Sequence, residues 1–148
     1  MWREIKTKED IDALMNTFGA FHDSCLKELV YISGSYVNDD CSMKPTDDLR
    51  IVRVIFQRQY RNPIAIELEF SKLVILNLSP AMENHSSDIY NASFFWEGEY
   101  IYWADSKEFT EYREGYDGTW VCARKARWRP RQDAVGSDSI YQIDNELI

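Results

Sequence analysis

The sequence predicts an α+β protein that is mostly β: an antiparallel meander of six or seven strands with one N-terminal helix packed on it. Three observations lead there. Apolar and polar residues alternate in short segments, most clearly from Ile51 to Tyr60. Turn residues separate those segments at hairpin distances, chiefly Arg61-Asn62-Pro63, Glu97-Gly98 and Asp117-Gly118. Only one stretch, near the N-terminus, carries strong helical spacing. Consecutive hairpins imply antiparallel neighbours, and a lone amphipathic helix must bury its stripe on a face or end of the sheet. The 148 residues suit one domain, with an ordered core from about 5 to 130 and a polar, loosely held tail over 131–148.

The helix starts at Thr7, a good N-cap, with Asp10 three residues on completing a capping box. Ile11, Leu14, Met15 and Phe18 form its apolar stripe, and Gly19 stops it. Phe21-His22-Asp23-Ser24 is a turn that feeds a strand from about Cys25 to Tyr36. Leu26, Val30 and Ile32 share one face of it, Leu29 and Tyr31 the other. Residues 37–49 are polar and turn-rich, a long exposed loop. From Ile51 to Tyr60, Val52, Val54, Phe56 and Tyr60 point inward while Arg53, Gln57 and Gln59 point out. The return strand sets Ile64, Ile66, Leu68 and Phe70 inward and Glu67 and Glu69 outward. Pairing Tyr60 with Ile64 places Glu67 beside Gln57 and Glu69 near Arg53. Ser71-Lys72 reads as a bulge or bend before the apolar run Leu73 to Leu78, and Pro80 to Ser87 as a loop.

The segment Phe94 to Asp105, F-F-W-E-G-E-Y-I-Y-W-A-D, reads as a tight hairpin turning at Glu97-Gly98. That turn sets Trp96 opposite Glu99, Phe94 opposite Ile101 and Ala92 opposite Trp103, with Phe95 against Tyr100 and Ser93 against Tyr102 on the second face. Both faces are aromatic. Either both are covered, or one is an exposed surface kept for a partner. Ser106 to Tyr116 has room for a helical turn. Thr119 to Arg129 is the last strand, with Trp120, Cys122, Ala126 and Trp128 on one side and Val121, Ala123, Lys125, Arg127 and Arg129 on the other; Pro130 ends it.

Seventeen basic against twenty-five acidic residues give a net charge of -8, which argues against a general nucleic-acid binder and favours solubility and, where there is a protein partner, a basic one. Cys25, Cys41 and Cys122 are odd in number and form no C-x-x-C, as in a reduced, cytoplasmic protein. No signal-peptide pattern follows Met1, and no apolar run is long enough for a membrane.

No catalytic motif is present, and four constellations remain as candidates. His22 and Asp23, with Ser24 adjacent, superficially resemble an acid–base set; as turn residues they would instead cap the helix exit and satisfy backbone groups. His22, His85 and three scattered cysteines lack zinc spacing, and Asp39-Asp40 and Asp47-Asp48 lack the calcium-loop pattern, so no metal or other cofactor is expected. Arg124, Lys125, Arg127, Arg129 and Arg131, interleaved with Trp120 and Trp128, could hold a phosphate or a single nucleic-acid strand. In the alternative, which the acidic balance of the chain favours, Lys125, Arg127 and Arg129 are the outer face of a strand crossing acidic neighbours such as Glu67 or Glu69. Tyr102, Trp103 and Asp105, with Tyr100, could line a pocket or anchor an interface, or be plain core.

The opening, a helix followed by Phe21-His22-Asp23-Ser24 and a strand, together with Tyr102-Trp103-Ala104-Asp105 and Arg127-Trp128-Arg129, resembles small bacterial families of unknown function. Some of these are similar to the immunity proteins of polymorphic toxin systems. The resemblance implies a bacterial cytoplasmic protein with a non-enzymatic, protein-binding role. The alternative from the residues is a small-molecule or phosphate-binding domain, extending to a weak hydrolase, with His22 and Asp23 facing the basic strand.

Overall fold

The computed structural model describes residues 1–141. Nine strands and two helices follow in the order β1 (Arg3–Ile5), α1 (Lys8–Thr17), β2 (Ser24–Ile32), β3 (Tyr36–Val37), β4 (Met43–Lys44), β5 (Ile51–Arg58), β6 (Ala65–Asn77), β7 (Ser93–Glu97), β8 (Tyr100–Ala104), α2 (Glu108–Glu111) and β9 (Trp120–Pro130). A 3₁₀ turn, Gly19–Phe21, links α1 to β2. The protein is α+β and mostly β, as its sequence indicates. Every strand pair is antiparallel.

The order across the seven-stranded sheet is β2-β5-β6-β9-β8-β7, with β1 also on β9. This departs from a simple meander at two places. β1 pairs with β9 rather than with β2, and β6 pairs with the last strand rather than with β7, so β9 is central. One edge of β9 runs along β6; its other edge is shared between β8, at residues 120–123, and β1, at residues 126–128.

α1 forms as its sequence dictates. The Thr7 side chain accepts from the Asp10 amide, and the Asp10 carboxylate accepts from the Thr7 amide, closing the capping box. Ile11, Leu14 and Phe18 are buried against the inner face of the sheet, where Val52, Val54, Phe56, Ile66, Leu68 and Phe70 meet them. The chain leaves the helix through Gly19, at φ +61, a conformation costing glycine least.

Both central hairpins keep the expected faces but not the expected register. Arg53 lies opposite Glu69 and Ile55 opposite Glu67, so Glu67 is not beside Gln57. The connection is Gln59–Ile64, and Tyr60 lies in it, exposed rather than inward. Ile64 packs with Ile55, Ala65 and Ala134 on the outer face. In the aromatic hairpin the turn is Gly98-Glu99, with Gly98 at φ +59 in the first turn position. Phe94 therefore faces Trp103, and Phe95 faces Tyr102. Each slip is by two residues, which leaves inner and outer sets unchanged.

Two other expectations are corrected by irregularities. A bulge at Lys27 puts Leu26 on the face of Leu29 and Tyr31, opposite Phe56, Val54 and Val52. Farther along, β6 and β9 change phase together. Phe70 and Leu73, three apart, both face the core, as do their partners Ala126 and Ala123; Lys72, at φ +50, marks the bend. Val121 and Ala123 are thus inward with Ala126 and Trp128, while Trp120 is turned outward to pack on Phe109 of α2.

Residues 131–141 are not a loose tail. Ala134 is fully buried, Gln57 donates to the Ala134 and Gly136 carbonyls, and the Ile140 and Tyr141 amides donate to Glu28 at 2.7 and 2.6 Å. The rest of the expected tail, 142–148, lies outside the described residues.

Candidate functional site

The basic strand is occupied by its own neighbours. Arg127 Nε and Arg53 Nε each donate to Glu69 at 2.7 Å, from the strands on either side of β6. Arg129 Nε reaches Glu67 at 2.8 Å, Arg131 Nη1 reaches it at 3.0 Å, and the Tyr141 hydroxyl donates to its second oxygen at 2.6 Å. Glu67 and Glu69 are 1% and 5% exposed, carboxylates that water could not satisfy. Burial pushes the Glu67 carboxyl up, but Tyr141, Arg129 and Arg131 outweigh it and hold it below the usual carboxylate range. The Trp2 ring lies 4.4 and 4.3 Å from the Arg127 and Arg129 guanidinium carbons and covers the ladder. Arg127, Arg129 and Arg131 thus meet Glu67 and Glu69, whereas Lys125 lies opposite Ser71 and Arg124 stands 3.9 Å from Glu99.

The remaining candidates divide between turn and core. His22 Nδ1 is 2.6 Å from the Tyr90 carbonyl and its Nε2 is 3.4 Å from Asp23. The Ser24 hydroxyl donates to the Phe21 carbonyl, and Phe21 plugs the core against Phe18, Phe56 and Trp103. His22 and Asp23 thus sit on an exposed turn below the inner face, apart from the outward-facing Arg127 and Arg129. Trp103 and Trp128 are buried, at 1% and 3% exposure. Tyr102 stacks on Phe95 under Arg113 on the opposite face, where burial and then Cys122 push its hydroxyl up. Asp105 accepts from the Tyr116 hydroxyl and the Thr119 amide. Both faces of the aromatic hairpin are therefore covered, one by the core and one by α2.

The segment expected as a long exposed loop, 37–49, holds a short strand pair with exposed apolar side chains. β2 ends at Ile32, and the amides of Leu49 and Arg50 both donate to the Ser33 carbonyl at 3.0 and 3.1 Å, making a neck. Gly34, at φ +99, is packed so closely that a Cβ would meet the Leu49 amide. Beyond the neck, β3 and β4 pair Tyr36 with Lys44 and Val37 with Met43. Their turn is closed by Asn38, whose amide donates to the Ser42 carbonyl, and by Asp40, which accepts from the Ser42 amide at 2.9 Å. The result is a two-stranded arm at the β2 edge of the sheet.

Tyr36, Val37 and Met43 expose 54%, 58% and 65% of their surface on this arm, Val37 and Met43 on one face and Tyr36 on the other, and Tyr31, Ile32 and Leu49 are exposed at its base. A recess of about 540 Å³ opens between Tyr31, Ile32, Tyr36 and Leu49. Asp39, Asp40, Asp47 and Asp48 lie in the same segment. The Ser42 hydroxyl and amide hold Asp40 below the usual carboxylate range, and Lys44 does the same for Asp48, so both stay ionised. Lys44 is spent within the arm, on Asp48 at 2.6 Å and over the Tyr36 ring. The signal available in the sequence was the pair Tyr36-Val37 and Met43 on either side of Asn38–Ser42.

Fold and surface together define an α+β protein built on one antiparallel sheet, carrying an acidic, apolar-tipped arm. Comparison with family models, curated proteins and solved structures found no match. Among the described residues no group of three or more His, Cys, Asp or Glu is placed to hold a metal ion, and no helix is long and apolar enough to cross a membrane.

Proposed function

We propose that this is a protein-binding domain whose arm engages a basic partner, in the manner of an immunity-type inhibitor acting in the bacterial cytoplasm. One observation carries the reading. Tyr36, Val37 and Met43 stand exposed on a self-contained arm, with Tyr31 exposed at its base, in a segment that carries four aspartates. Apolar anchors supply contact area, while the surrounding carboxylates steer a cationic surface toward them. The net charge of -8 acts in the same direction. A phosphate-binding role draws less support, because Arg53, Arg127, Arg129 and Arg131 already neutralise Glu67 and Glu69.

The test compares the tagged protein with a Tyr36→Ser, Val37→Ser, Met43→Ser triple variant in affinity capture from the native cell extract. The expected result is one basic protein at near-equal stoichiometry, retained by the unaltered chain, lost by the variant and weakened by raised salt. Equal recovery by both chains removes the arm from the reading.

A further inference from the structure

We infer that the cavity beside Trp103 is a binding site for a small organic amine, an ammonium group carried on an apolar body. The cavity measures about 510 Å³, within the size range of small-molecule sites. It lies between the 78–89 segment and the β8 and β9 ends of the sheet. Leu26, Leu78, Ile89 and Trp103 give it an apolar wall, and two carboxylates, Asp88 and Asp105, stand in the same lining.

The charge balance selects the ligand. No lysine, arginine or histidine lines this cavity. Asp105 is held by two neutral donors, the Tyr116 hydroxyl and the Thr119 amide, and Asp88 accepts from the Ser86 hydroxyl. Among the described residues neither carboxylate has an ion-pair partner, in a protein whose buried carboxylates Glu67 and Glu69 each have two. Tyr116 stays protonated, because burial and the Asp105 charge push its hydroxyl up. Asp105 is therefore fixed in place by donors that leave its charge uncancelled. Negative charge beside an apolar wall favours a cation with an apolar body over an anion or a neutral hydrocarbon. Trp103 belongs to that wall and its indole Nε1 is buried without a hydrogen-bond partner, so its N–H signal reports changes in the cavity.

The probe is phenethylamine, titrated into ¹⁵N-labelled protein while the Trp103 indole signal is followed, with 2-phenylethanol as the neutral isostere. The expected result is saturable movement of that signal by phenethylamine, with binding of 2-phenylethanol at least about fivefold weaker. Asp88→Asn, an exposed change that leaves the core alone, weakens phenethylamine about threefold, as loss of one solvent-screened charge does. Ala81→Trp, on the exposed rim, blocks binding. Equal affinity for the two probes, an unchanged affinity in Asp88→Asn, or a Trp103 signal that does not move overturns the assignment. None of these changes touches the arm, so partner capture reports separately.

Discussion

At the scale of single residues, Trp103 separates a contact surface from a core. Its ring lies 5.6 Å from Phe21 and 5.0 Å from Phe56, and 1% of its surface meets water. Truncation removes a large buried ring from a site where strand β8 fixes the backbone, so the neighbours can collapse only in part. Trp103→Ala is therefore expected to lower stability by about 3–5 kcal/mol, the range for aromatic deletions in cores. Urea unfolding followed by tryptophan fluorescence and circular dichroism measures it. A variant as stable as the parent would mean that Trp103 packs less tightly than its contacts indicate. The Phe21-His22-Asp23-Ser24 turn makes the same point with polar groups. Its residues form a buried plug, a capping hydroxyl and a histidine on a backbone carbonyl, an arrangement that turn chemistry alone requires.

At the scale of elements, β6 holds the outer face together because its two carboxylates sit between arginines of β5 and β9. Glu67→Gln removes the charge that Arg129 and Arg131 converge on. The expected cost at neutral pH is on the order of 2 kcal/mol, below that of a fully buried broken pair because Arg129 keeps 32% of its side chain in water. Since the folded pKa of Glu67 is depressed, its contribution is present above the ordinary carboxylate pKa and is lost as pH falls through the folded value. Stabilities of parent and Glu67→Gln are thus expected to converge between about pH 5 and pH 2. A gap that stays constant over that range would assign the cost to shape rather than charge. The faces of β5, β6 and the aromatic hairpin were legible in the sequence, because side-chain alternation has a period of two. Register was not: a slip of two residues keeps Phe56 and Leu68 inward, so the pattern cannot distinguish it. The joint phase change of β6 and β9 was hidden because Ala123 and Ala126 are too small to announce a face. The placement of 131–141 was hidden for a different reason. Ala134, Ile140 and Tyr141 are thinly spread among polar residues, and their anchors Glu28, Gln57 and Glu67 lie far earlier in the chain.

At the scale of the whole molecule, the sheet and the arm are separable. The sheet has one core on its inner face and covers its outer face with Trp2, residues 131–141 and α2. The arm contributes to neither layer. Its polar contacts, Ser35 with Asp47, Asn38 with Ser42 and Lys44 with Asp48, close on themselves, and the neck at Ser33, Leu49 and Arg50 joins it by backbone hydrogen bonds to the β2–β5 hairpin. Tyr36, Val37 and Met43 on such an appendage are more than half exposed and bring the fold little burial, so their stability contribution is small while their availability to a partner is high. Replacing residues 36–47 by a short glycine-serine connection should therefore change unfolding free energy by no more than about 1 kcal/mol, since shortening a surface loop alters closure entropy only weakly. Thermal and urea unfolding of the excised protein measure that directly. Partner capture from the same preparation should fail at the ionic strength where the parent succeeds. A large loss of stability on excision would show that the arm belongs to the folding unit, and its apolar tip would then owe its presence to the sheet instead of to recognition.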